Sequence, residues 1–166
     1  MTSMNKNAAL QACILMLGSL VFANANAIEA QAEDSKTSQV KTAIAEANLV
    51  MTEFMASFNA RDAARWADTL LFPHIRVASG SVNISPTRDK FVEEMDFAAF
   101  AKSNGWHHSG WESIEVIQAA VDKIHFKVRF NRYNEAGEPY ASFDSLYVLQ
   151  RSENWWGIRL RSSFAP

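Results

Sequence analysis

Three groups of polar residues in this chain have types and spacing that could do chemistry. His74 and Arg76 stand two apart in a stretch that alternates polar and apolar residues up to Ser79. On a strand that spacing puts both side chains on one face. An imidazole beside a guanidinium on a cavity wall could hold an anion or pass a proton, whereas on an exposed edge both are simply solvated. His107 and His108 are adjacent, so in extended chain only one can face inward, and we take His108 as the candidate. Arg129, Asp144 and Arg161 each fall in segments that read as strands. Two arginines inside a cavity need a carboxylate or a bound anion to keep their charge, and Asp144 is the acid available. Arg129 with Asp144 also reads as a structural ion pair across neighbouring strands. A carboxylate base facing a tyrosine that donates to a developing oxyanion is a workable acid–base pair. Asp144 and Tyr147, however, are three apart, which separates them onto opposite faces unless a bulge intervenes. The candidate ligand-binding set is therefore His74, Arg76, His108, Arg129, Asp144 and Arg161, with no catalytic residue assigned.

Other chemistries lack their residues. The chain has 4 histidines without ligand-type spacing and a single cysteine, so no metal site is expected. Gly-rich phosphate loops are absent, and Ser162 and Ser163 follow no nucleophile-elbow pattern. No cofactor is expected. The net charge is −2 and no polybasic stripe is present, which argues against electrostatic binding of nucleic acid.

The elements that must position these residues can be read in order. From Val40 the apolar residues Ile44, Ala47, Met51, Phe54 and Phe58 recur at three- and four-residue steps, predicting an amphipathic helix that ends near Asn59. Asp62 can cap a second helix carrying Trp66, Leu70 and Leu71, which Pro73 stops. His74 to Ser79 and Val82 to Ile84 read as a short hairpin about Gly80. Ser85-Pro86 reads as the cap and first position of a third helix, with Phe91, Met95 and Ala98 inward and Asn104-Gly105 as its stop.

After Trp106 the chain reads as a meander of long strands, broken at Asp122-Lys123, from Asn134 to Glu138 and from Ser152 to Asn154. Ile124, Phe126, Val128 and Phe130 share one face there, and His125, Lys127, Arg129 and Asn131 share the other. In the last strand Trp156, Ile158 and Leu160 oppose Trp155, Arg159 and Arg161. The resulting class is α+β: a cone-shaped fold of three helices packed on a curved antiparallel sheet. Its open end is the natural place for a small-molecule pocket.

The N-terminus reads as an export signal. Lys6 precedes an uncharged apolar run from Ala8 to Ala23, too short for a membrane span, and Ala23-Asn24-Ala25 and Ala25-Asn26-Ala27 offer cleavage sites. We favour the cut after Ala27, which assigns residues 1–27 to the signal peptide, 28–39 to a disordered tether and 40–166 to the folded domain. Cys13 lies within the removed run, so the mature chain would carry no thiol and depend on an ordinary hydrophobic core. The expected location is periplasmic or secreted, with no membrane association after cleavage.

With this element order, the chain resembles the nuclear transport factor 2-like superfamily, and within it the SnoaL-like group. Phe58-Asn59-Ala60-Arg61-Asp62, Trp66 and Phe72-Pro73-His74-Ile75-Arg76 leading to Gly80 look like the helix-turn-helix-strand entry of those domains. Trp155 to Pro166, and Val92-Glu93-Glu94-Met95-Asp96-Phe97 before the meander, look like parts of the association domain of calcium/calmodulin-dependent kinases. That likeness implies that Arg129 occupies a cavity position. The closing strand departs from that domain's pattern, carrying Arg159 and Arg161 where it has histidines. The superfamily implies a small-molecule ligand and a homodimer formed through the outer sheet face. Its members include isomerases, dehydratases, cyclases and non-catalytic assembly domains, so the fold leaves the activity open.

Overall fold

A computed structural model describes residues 6–153 and 155–165, with side chains from Gln31 onward. Residues 1–5, where the expected signal peptide begins, and the C-terminal Pro166 lie outside the described residues. The chain divides into two units, Met1–Gln39 and Val40–Pro166. In the first, helix α1 (Lys6–Asn59) runs through residues 28–39, where the sequence reading places a disordered tether. Residues 31–39 are exposed on every side. Ala, Gln and Glu dominate from Ile28 to Glu33, and these are strong helix formers that need no packing partner to favour the helical backbone.

In the second unit the remainder of α1 buries the stripe predicted for it. Ala47, Met51 and Phe54 are at most 4 % exposed and Ile44 and Phe58 pack partly buried against them, while Ala43 rather than Ile44 is the fully buried residue of the first turn in this unit. Helix α2 (Ala63–Ala67) is capped by Asp62, whose side chain accepts from Arg65 N. It is shorter than expected, because Leu70 and Leu71 already belong to strand β1 (Leu70–Ala78). Strand β2 (Ser81–Ser85) pairs back on β1 as the predicted hairpin. The predicted third helix is built as two: α3 (Arg88–Glu94), capped by Thr87 rather than Ser85, and α4 (Phe97–Asn104), capped by Asp96. Met95 is extended between them, which frees Asp96 to accept from Ala99 N. Gly105 ends α4 with φ 61°, in the left-handed region where glycine carries no Cβ penalty.

Strands β3 (His108–Ala119), β4 (Lys123–Tyr133), β5 (Pro139–Ser152) and β6 (Trp155–Ser163) form the meander. The whole sheet has six strands in the order β2-β1-β6-β5-β4-β3. It is mixed, not purely antiparallel, because β1 pairs with β6 in parallel. The apolar row of β4 is inward as expected: Ile124, Phe126 and Val128 are at most 1 % exposed. Leu149 of β5 and Ile158 of β6 close the core at 0 %.

Polar clamps hold the helices on this inner face. Asn59 donates to Ser109 O and accepts from Ser109 N, both at 2.8 Å, tying the end of α1 to β3. Trp111 Nε1 donates to Met51 O at 3.2 Å, and Glu46 takes Trp156 Nε1 at 3.0 Å together with Arg151. The core is continuous with the wall of a cavity on the same inner face, to which Phe54, Phe58, Trp66, Phe91 and Tyr147 belong as well.

Candidate functional site

The open part of the inner face is a cavity of about 600 Å³. That is the usual size for a small-molecule site. Aromatic side chains from the helices and the sheet, including Phe54, Phe58, Trp66, Phe91, Phe100 and Phe130, make its apolar wall, and Asn83, Ser85, Asn104, Ser109 and Ser163 add small polar groups. Polar groups enter from the sheet: His74 and Arg76 on β1, Arg161 on β6, Tyr147 on β5 and Arg132 on β4. Glu94 is the one acid among the described lining residues, and Lys90 already pairs with it at 3.0 Å.

The register places the first of these side by side. Arg76 pairs with Arg161, and Arg161 pairs with Tyr147, so one cross-strand row carries two guanidinium groups and a phenol. Simple alternation from Ile158 would turn Arg161 outward. A register shift opposite Val148 and Leu149 inserts Arg159 as an extra residue, so Ile158 and Arg161 both face in. The bulge is therefore what brings Arg161 into the cavity.

His74 is 1 % exposed and has both ring nitrogens engaged. Its Nδ1 lies 2.9 Å from Ile158 O, and a carbonyl can only accept, so Nδ1 carries the proton. Nε2 then accepts from Arg161 Nε at 3.0 Å. Burial, followed by the charge of Arg161, lowers the His74 pKa to about 3, so the ring is neutral. It orients Arg161 and has no lone pair left for a substrate proton.

The guanidinium of Arg161 lies over two rings, 5.2 Å from the Phe54 centroid and 5.3 Å from that of Trp66. Arg132 is 7 % exposed and held between Phe100 and Phe143, at 5.1 and 5.0 Å, with Asn104 Oδ1 at 3.4 Å. Stacking on aromatic faces suits a weakly hydrated guanidinium. Burial nonetheless pushes both arginines below their usual pKa, and Arg76 likewise. Burial raises the Tyr147 pKa, while Arg161, Arg76 and Arg132 all pull it down. Arg76 also donates to Ala165 O at 3.2 Å. Trp66 Nε1 is a buried donor with no partner among the described residues.

Of the six predicted site residues, the fold brings His74, Arg76 and Arg161 together. The other three do not line the cavity. Arg129 and Asp144 lie on the outer sheet face, where Arg129 Nη1 meets Asp144 Oδ2 at 3.0 Å and Nε meets Glu112 Oε2 at 3.2 Å. This is the cross-strand ion pair that the sequence also suggested. The β4 alternation was read correctly, but helices and cavity share the concave face, so the side opposite the apolar row is the outside. His108 stacks on Tyr133 at 4.6 Å and shares a hydrogen bond with His107, away from the cavity. Arg132 and Tyr147 were missed as cavity residues. Arg132 carries a legible signal, since it continues the inward row of Ile124, Phe126, Val128 and Phe130 with a charge.

A helix-covered curved sheet with its pocket at the open end is the nuclear transport factor 2-like cone. The family described as NTF2-like protein (DUF6841) matches residues 26–163, and the chain belongs to it. No curated protein matches the chain in sequence. Among solved structures it is similar to an NTF2-like protein with a cystatin-like fold from Novosphingobium aromaticivorans, at 9% identity and TM-score 0.62, covering 75% of this chain and 82% of that one. It is similar to a protein from Catenulispora acidiphila solved in complex with S-DNPA, at 13% identity and TM-score 0.58, covering 73% and 91%. A ketosteroid isomerase-like protein from Erwinia carotovora atroseptica shares 17% identity and TM-score 0.52, covering 74% and 96%. These likenesses establish the fold.

Proposed function

We propose that this chain is an exported domain that binds a small organic molecule in its cone. The carrying observation is the cavity of about 600 Å³ lined by both aromatic rings and polar side chains, with three arginines among the latter. The relative from Catenulispora acidiphila, solved with S-DNPA, supports the reading by analogy of fold. Binding is favoured over acid–base catalysis because the candidate bases among the described residues are engaged elsewhere: Asp144 pairs with Arg129 on the outer face, both His74 nitrogens are hydrogen-bonded, and the exposed Glu94 pairs with Lys90. Export is supported by the charged, apolar and small-residue order of residues 1–27. The test of binding is native mass spectrometry of the protein purified from its own host. A stoichiometric organic adduct is expected, lost in Ser85→Trp, which places an indole among the lining residues. Ligand-free protein from the host, with no neutral apolar probe entering the cone in vitro, would refute the reading.

A second reading, an interaction module, rests on the outer face. Ile75, Val77, Leu146, Val148 and Leu160 are half-exposed there, and Val82 and Ile84 of β2 extend the strip at 64% and 61% exposure. A second copy of this chain would cover that strip, on the side of the sheet away from the cavity. The two roles are compatible.

A further inference from the structure

Arg161 and Arg132 are the observations that the fold leaves unexplained. Among the described residues, no carboxylate pairs with either, although exposed arginines such as Arg65, Arg88 and Arg129 all have acids. A desolvated guanidinium without a counter-charge is costly, and a protein retains one where a ligand supplies the charge. Arg161 uses Nε on His74 and also bonds the Tyr147 hydroxyl, and Arg132 contacts Asn104 at 3.4 Å and the Tyr140 hydroxyl, which leaves further N–H donors on each guanidinium. Their aromatic faces are already occupied, which leaves the donor edges for a ligand. Tyr147, in register with Arg161, holds it through its hydroxyl and also feels the charges of Arg76 and Arg132, so it marks where these cations converge.

Resting on the small-molecule reading above, we propose that the cone selects organic acids. The carboxylate sits by Tyr147 between the Arg161 and Arg132 guanidinium groups, and a flat apolar body lies against Phe58, Phe91 and Phe130. A carboxylate matches the planar guanidinium fork, and such pairs are the strong, charge-assisted class of hydrogen bond. A cationic ligand would find the ring faces of Phe54, Trp66, Phe100 and Phe143 already covered by arginine and would meet repulsion. Inorganic phosphate fits poorly, because these walls offer rings where a phosphate site has a cradle of backbone N–H groups.

The experiment is displacement of a neutral fluorescent naphthalene, N-phenyl-1-naphthylamine, from the full-length mature protein. The competitors are 3-phenylpropanoate, its uncharged amide and inorganic phosphate. The acid is expected to displace the probe at about tenfold lower concentration than the amide, as charge-assisted pairing requires, with phosphate inactive. In Arg161→Gln and in Arg132→Gln the acid should fall to the level of the amide while probe binding persists. Arg129→Gln, on the outer face, should behave as wild type. Equal displacement by acid and amide in the wild type overturns the inference, independently of whether either variant folds. Displacement by phosphate overturns it in favour of a simple anion site. Failure of the neutral probe to bind at all removes the small-molecule reading, and this inference falls with it.

Discussion

Arg161 Nε donates to His74 Nε2 at 3.0 Å, and His74 Nδ1 donates in turn to Ile158 O at 2.9 Å, so a neutral imidazole links a cavity arginine to the strand beside it. The arrangement works only while the ring is unprotonated. Its pKa is lowered to about 3 in the fold, against an ordinary 6.5. Between those values the unfolded chain binds a proton that the native chain does not. Stability from this group is therefore complete above pH 6.5 and is lost as pH falls toward 3. Urea melts from pH 7 to 4 should show the wild type losing up to about 1.4 kcal/mol per pH unit from this group. His74→Gln should flatten that slope. An unchanged slope in the variant would mean that another group carries the acid sensitivity.

Arg129→Met and Asp144→Asn should leave thermal melting near wild type and ligand affinity unchanged. The pair is solvent-exposed and its attraction is screened. A change in probe affinity on Arg129→Met would place that residue's influence inside the cone, against the observed register.

Gly157→Ala should destabilise by about 1–3 kcal/mol, the usual cost of overpacking. A Cβ at Gly157 would stand 2.7 Å from Trp155 Cζ3, 2.8 Å from Leu71 Cγ and 3.1 Å from the Leu71 backbone nitrogen. The tryptophan can turn, but the β1 backbone cannot yield without disturbing its pairing with β6. A chemical melt with wild-type midpoint would show that this junction is looser than the contacts imply.

The outer strip predicts a homodimer by light scattering at micromolar concentration. Val82→Glu combined with Ile84→Glu should give monomers that still bind the neutral probe, since both side chains lie across the sheet from the cavity. A wild-type monomer at that concentration would remove the interaction reading and leave binding in the cone untouched.

Export is checked by intact mass after expression in a bacterial host, where a mature chain beginning at Asn26 or Ile28 is expected. A cytoplasmic product retaining Met1 would refute it.

The sequence by itself determined the order of elements apart from the break at Met95 that splits the third helix, most of the buried stripe of α1, the caps at Asp62 and Gly105, the strand breaks and the apolar row of β4. Each is local: a period, a cap or a turn is written within a few residues. It misplaced Leu70 and Leu71, because an apolar pair after a short helix fits either element until β6 offers a partner in parallel. It did not show which face of β4 the cavity shares. Alternation separates two faces but does not say that the helix-covered, concave one holds both core and pocket. That ambiguity sent Arg129 inward and left Arg132 unnoticed. Arg161 is a candidate by its type alone, but only the bulge at Arg159 turns it into the cavity beside His74. A one-residue insertion in pairing reverses every side chain beyond it, and such a register is set between strands, not within one.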